Sequence, residues 1–204
     1  MGAVSLTLNE AGYVVGQSSA AINRAIDRGI IKAQLQPRGA GSLRTLGAPE
    51  LRFLAMAGEV EHDLTPAARR KVYEAMRRLP ADSPRLSMGI MAFELTDIDQ
   101  RIAGRLRQLE AVKALVDEAN GDPIIRGTNV PVYVVATLAQ GESVAEIVDD
   151  YPGLTPAQIE AATEYARIYP KPGRPLPARS FKKALVAMAE AGVWDVEDDH
   201  TADV

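Results

Sequence analysis

Between Val15 and Ala20 the chain must stop one helix and start another, and this requirement constrains the fold more than any other local feature. Upstream, Leu8, Ala11, Tyr13, Val14 and Val15 form an apolar stripe on a helix read from Leu6 to Val15, and Gly16 supplies the stop. Ser18-Ser19 then offers hydroxyls to cap a second helix whose inward positions are Ile22, Ala25 and Ile26, with Gly29 as its C-terminal stop. Ile30 to Gln34 reads as a strand, Pro37, Gly39 and Gly41 as a loop, and Ser42 to Leu46 as a returning strand. A helix-turn-helix followed by a hairpin is the order of a winged helix, the fold expected for residues 1–80. Two more helices complete that region, one opened by Pro49-Glu50 and ended by Gly58, the other opened by Thr65-Pro66 and running to about Arg78.

Pro80 to Pro84 reads as a linker, and Leu86 to Leu95 as a strand that is buried or lies at a subunit interface. Ile98, Ile102, Leu106 and Leu109 recur at helical spacing among Arg101, Arg105 and Arg107, so residues 81–119 are expected to be a connecting strand and amphipathic helix. Asn120-Gly121 is a two-residue hairpin turn between Leu115-Val116 and Ile124-Ile125. Three short helices follow: Pro131 to Gln140; Val144 to Asp150, capped by Ser143 with Glu146 closing a capping box; and Pro156 to about Tyr169, capped by Thr155. Residues 120–170 thus read as a three-helix domain of helix-turn-helix or homeodomain-like type. Residues 171–204 form a tail with a Pro-rich start and a helix from Ser180 to Ala191. The expected fold class is mainly α with small β elements.

Charge decides which partners fit. The 204 residues carry 23 basic and 27 acidic side chains, a net charge of -4 that argues against a protein coating nucleic acid. The distribution is polarised, however. Residues 1–80 hold 11 Lys and Arg against 7 Asp and Glu, residues 141–166 hold six acids and no base, and from Glu190 onward only acids occur. No apolar run approaches the roughly 20 residues that cross a bilayer. Met1-Gly2-Ala3-Val4 lacks the features of a secretion signal, and cysteine is absent. The expectation is a soluble, cytoplasmic protein without membrane contact.

On the second helix, Ser19, Ala20, Asn23, Arg24 and Asp27 remain outward once the apolar positions are turned in. Asn and Arg suit bidentate reading of adenine and guanine, so Asn23 and Arg24 are the expected base readers, with Gln17 and Ser19 beside them. Arg38 at the hairpin tip, Arg44 on its return strand and Lys32 are placed to meet phosphates. The competing reading makes all of these ordinary solvated side chains. Gly39-Ala40-Gly41 lacks the lysine and spacing of a phosphate loop. His62 and His200 stand far apart, no nucleophile motif occurs, and Asp149-Asp150 reads as solvated charge near a helix end. No catalytic residue, metal or cofactor is expected. In the tail, Phe181, Leu185 and Met188 share a helical face and Trp194 follows; with Arg174 they form the expected partner-binding surface, against the alternative that they pack on their own domain or on a dimer mate.

The run Gly121-Asp122-Pro123-Ile124-Ile125-Arg126-Gly127-Thr128-Asn129-Val130-Pro131-Val132, followed in order by Gly141 to Ile147, Asp150 to Thr155, Ala161 to Ala166 and Gly173-Arg174-Pro175, resembles the domain-of-unknown-function family numbered 433. Members usually carry Arg where this chain has Asn129, which alters any contact made there. The front portion is similar in layout to a MerR-type winged helix, with Arg28-Gly29 ending its second helix. The resemblance implies a VapB-like antitoxin of a type II module that neutralises a PIN-like ribonuclease toxin and, as a homodimer, represses its own operator DNA. The alternative is a stand-alone transcriptional regulator whose rear domain senses a ligand.

Overall fold

The computed structural model describes residues 4–39, 41–60, 64–119, 121–171 and 173. Helices dominate, accompanied by three small antiparallel sheets. The chain divides into two compact units, Met1–Ala111 and Val112–Val204.

The first unit opens with β1 (Leu6–Thr7) and α1 (Leu8–Val15), so the leading residues of the expected first helix are a short strand. The reason is local. Thr7 caps α1 in a reciprocal box with Glu10, and an N-cap residue is extended. Gly16, at φ 72, ends α1; Ser18 accepts from Ala21 N and starts α2 (Ser19–Asp27). The turn between them packs tightly onto α1: Gln17 N donates to Gly12 O at 2.9 Å, and a Cβ on Gly12 would lie 2.5 Å from the Gln17 carbonyl oxygen.

The expected strand from Ile30 to Gln34 is not formed; β2 spans Gln34–Arg38 and pairs with β3 (Gly41–Leu46). Gly29, at φ 65, turns the chain so that Ile30 N bonds back to Ala25 O, while Ile31 is buried and Lys32 N donates to the Tyr73 hydroxyl. These contacts hold Ile30 to Lys32 against the unit instead of in a sheet. Pro37 lies within β2 and not in the loop, which is tolerated because β2 is an edge strand in the order β1-β3-β2.

Helix α3 (Ala48–Val60) runs through Gly58, which does not end it, and α4 (Pro66–Arg78) begins on its Thr65 cap as expected. The stretch Leu86 to Leu95 is a hairpin and not one strand: β4 (Arg85–Met88) pairs with β5 (Met91–Glu94) around Gly89, at φ 61. Only its base is buried, at Leu86 and Leu95, while Ile90 at the tip is fully exposed. Helix α5 (Thr96–Lys113) follows and carries the chain into the second unit.

Polar bonds cross the core of the first unit. Buried Glu50 accepts from Gly47 N at 3.0 Å and from the Tyr73 hydroxyl at 2.7 Å, and Tyr73 packs edge-on against Phe53. Burial, reinforced by the bond to Glu50, pushes the Tyr73 hydroxyl well above the ordinary tyrosine range. Arg52, 4% exposed, donates to both carboxylate oxygens of Asp99 at 2.6 and 2.5 Å, tying α3 to α5.

The second unit begins with the expected hairpin, β6 (Val116–Ala119) and β7 (Asp122–Ile125), with Gly121 at φ 84 in the turn. Helices α6 (Val132–Leu138), α7 (Val144–Asp150) and α8 (Pro156–Ile168) follow. Ser143 with Glu146 and Thr155 with Gln158 form complete capping boxes. Its core is apolar: Ile125, Val132, Val135, Leu138, Ile147, Leu154, Ile159 and Ala162 pack together.

Candidate nucleic-acid interface

The seven residues expected to meet DNA separate into two groups according to what holds them. Asn23 and Asp27 stand one turn apart on α2, and both accept from Arg44 Nη1 on β3, at 2.6 and 2.7 Å; Asn23 Nδ2 also donates to Asp27 at 3.2 Å. This triad ties the hairpin β2–β3 to α2. It also compensates the Arg44 charge, so Arg44 joins two elements instead of presenting a bare cation. Lys32 lies 3.6 Å from Glu74, and Gln17 Nε2 donates to Leu54 O at 3.0 Å, anchoring the α1–α2 turn to α3. Ser19 is the half-buried first residue of α2, directly after the capping Ser18.

Arg24 and Arg38 differ from these: both are exposed, and neither has a partner among the described residues. Arg38 sits opposite Gly41 at the end of β2, all of whose residues are exposed; Leu35 on the same strand is 66% exposed. Arg24 lies on α2 at the margin of a cleft that also takes in Arg28 and, from α4, Arg69. Sequence reasoning does not single out Arg28 and Arg69 as contacts. Arg28 stands one turn beyond Arg24 on the same stripe of α2, a signal that could have found it, but Arg69 arrives only through tertiary packing and leaves no local signal.

In the second unit, Tyr133, Tyr165 and Tyr169 form an aromatic cluster, with ring centroids 6.5 and 4.7 Å apart along the series and the Tyr133 hydroxyl donating to Tyr169 O at 2.8 Å. Burial and the neighbouring Tyr165 and Asp122 raise the Tyr133 pKa. Lys171 approaches the Tyr133 ring at 5.4 Å. Beside the cluster, a groove of about 440 Å³ lies along α6 and α8, bordered by Thr137, Gln140, Thr163 and Arg167. Asn129, where the family resemblance leads one to expect Arg, is exposed. The expected partner contacts Arg174, Phe181, Leu185, Met188 and Trp194 lie outside the described residues.

Among the described residues no group of three or more His, Cys, Asp or Glu is arranged to hold a metal ion, and no helix is long and apolar enough to cross a membrane.

Residues 117–166, most of the described second unit, match the family model described as "Protein of unknown function (DUF433)". The chain is also similar to "Uncharacterized protein y4eO" of Sinorhizobium fredii (strain NBRC 101917 / NGR234), at 34% identity over 90 residues. That similarity covers 44% of this chain and 40% of the relative's length. No solved structure matches.

Proposed function

We propose that this protein is a DNA-binding antitoxin: the first unit is a winged helix-turn-helix that holds an operator, and the second unit with the tail beyond it holds a PIN-like ribonuclease toxin. The observation that carries the DNA half is the Arg44, Asn23 and Asp27 triad, which fixes the hairpin to α2 while Arg24 and Arg38 stay unpaired among the described residues. A reading helix and a wing must hold a constant spacing to engage one duplex, and a polar staple between them supplies it. The toxin half is supported by the family match over residues 117–166, a family whose resemblance implies an antitoxin, and by the apolar residues in the sequence of the acidic tail. Dimerisation is part of the proposal, since a two-fold operator needs two readers.

The test is co-expression with the product of the adjacent gene, using the full chain and a chain ended after Gly173. A complex that forms with the full chain and fails with the shortened one supports an antitoxin whose grip lies in the tail. A complex that survives shortening moves the grip to the second unit. No complex with the full chain rejects the antitoxin reading. The groove beside Tyr133 and Lys171 favours the second reading in that event, a transcriptional regulator whose second unit senses a small ligand.

A further inference from the structure

The β4–β5 hairpin sorts its residues by face. Its register sets Leu86 opposite Phe93 and Met88 opposite Met91, so these four share one face, while Arg85, Ser87, Ala92 and Glu94 share the other. Along the apolar face exposure rises from base to tip. Leu86 is buried where β4 rests on α4, Met88 and Phe93 are half-buried, Met91 is exposed, and Ile90 in the turn is fully exposed. A regular alternation of apolar and polar residues suits a face that is covered, yet only the lower part of this one is buried. The edges are as open as the face, because a sheet of two strands leaves both with an unpaired side. Elsewhere in the first unit the edge strand β2 carries Pro37 and Arg38, residues that discourage pairing with another chain. The β5 strand, Met91-Ala92-Phe93-Glu94, has neither proline nor a basic residue.

We infer that this face and edge are closed by the same hairpin of a second copy of the chain, with β5 pairing antiparallel to its counterpart and the two apolar faces merging. A second copy satisfies the open edge and the apolar face in one contact, because a two-fold interface matches a patch with itself. Charge points the same way. Two chains of net charge -4 repel one another, but residues 85–94 sum to zero, and Arg85 Nε lies 3.2 Å from Glu94 across the polar face. Antiparallel pairing also sets the base of one β5 beside the turn of the other, so Glu94 meets the uncharged, turn-side half of its counterpart and not another Glu94. The hairpin is short, with fewer residues than the roughly 20 to 30 that each side of a standard interface supplies, so the dimer is expected to be reversible. The inference deepens the proposed function: it rests on that reading for the purpose of the dimer and on the hairpin alone for its surface.

The experiment is sedimentation velocity of the full chain without DNA, from about 1 to 100 µM, beside the double variant Ile90→Lys with Met91→Lys. Both side chains are exposed, so the variant should fold, and an unchanged circular dichroism spectrum checks that it does. The wild type is expected to pass from monomer to dimer across the range, and the Lys pair to associate roughly tenfold more weakly or worse, since a closed contact would have to bury its charges. A second readout uses the absence of native cysteine: Ala92→Cys should be joined into a covalent dimer by a short bismaleimide, and Ser42→Cys, equally exposed on β3, should not. A wild type that stays monomeric throughout, a dimer that the Lys pair leaves intact, or equal cross-linking at both cysteines overturns the inference. A dimer that appears only when the chain is ended after Gly173 gives the face to the tail, and a monomer that binds the adjacent gene's product through Ile90 and Met91 gives it to that partner; either result also overturns it. The DNA reading is judged separately, by binding to the region upstream of the gene. A dimeric wild type that does not bind there rejects that reading and leaves the hairpin interface standing.

Discussion

The two units solve the problem of a unique core in different ways. In the first, polar side chains enter the interior and bond across long sequence separations: Glu50 to Tyr73, Arg52 to Asp99, Gln17 to Leu54. In the second, the buried side chains of the core cluster are all aliphatic, and Ser143 with Glu146 and Thr155 with Gln158 close helix starts at its surface, while Glu142 is the one charged side chain buried among the described residues of that unit. Directional bonds accept one geometry, whereas aliphatic contacts accept any that fills the volume. The first unit is therefore expected to be precise and brittle, and the second tolerant. Precision suits a surface whose elements must keep a fixed spacing.

The largest effect is expected from Arg52→Ala. It leaves the Asp99 carboxylate without its two bonds, and about 3 kcal/mol of stability should disappear, the low end for a broken buried pair because Asp99 keeps some contact with solvent. Hydrogen exchange should locate the loss in residues 4–111. Replacing both partners, Arg52→Met with Asp99→Leu, should recover most of it; if the double variant is as unstable as the single one, packing and not the bond is what matters at this site.

Tyr73→Phe comes next, at about 2 kcal/mol near neutral pH, because Glu50 loses a donor in the interior. This site also carries a pH signature. The folded-state pKa of Tyr73 is raised, so its contribution is fully present below the unfolded value of 10.0 and is lost as pH rises above it, where the unfolded chain releases the proton and the folded chain retains it. Denaturant midpoints should fall more steeply above pH 10 in the wild type than in Tyr73→Phe. Equal slopes would mean that another group governs alkaline unfolding.

In the second unit the corresponding change, Ile147→Val in the aliphatic core, should cost only about 1 kcal/mol, with the neighbours closing around the gap. A larger loss, measured by the same midpoints, would show that this core is as exacting as the first. The smallest effect belongs to the surface staple. Asp27→Asn should change stability by a few tenths of a kcal/mol, since the pair with Arg44 is roughly half exposed and screened. If DNA contact uses Arg44, the same change should nevertheless raise affinity for duplexes, because the guanidinium loses its internal counter-charge.

Legibility in the sequence follows the same division. Ser18, Thr65-Pro66, Ser143 and Thr155 are readable as helix starts, and Asn120-Gly121 as a hairpin turn, because each feature acts within four residues of itself. The strand expected from Ile30 is misplaced because what holds Lys32 is Tyr73, 41 residues away, and periodicity carries no information about such a bond. The β4–β5 hairpin reads as one strand because Leu86 and Met88 alternate into Met91 and Phe93, with Gly89 the one sign of reversal. At the candidate interface the residue types are legible and their pairing is not. Arg24 and Arg44 look alike in the sequence, and only the fold brings Asp27 and Asn23 to one of them.

Gly12 constrains how such a sequence can evolve. It lies inside α1, where alanine is the better helix former by about 1 kcal/mol, so selection for helix stability alone would replace it. The Gln17 carbonyl, 2.5 Å from where the new methyl would stand, stops that replacement, because accepting the methyl means prying α2 away from α1. Position 12 thus acts as a one-way gate on sequence drift. A lineage can vary the exposed faces of both helices freely, but it can leave glycine here only by abandoning the tight turn, and with it the spacing on which α2 and its hairpin depend.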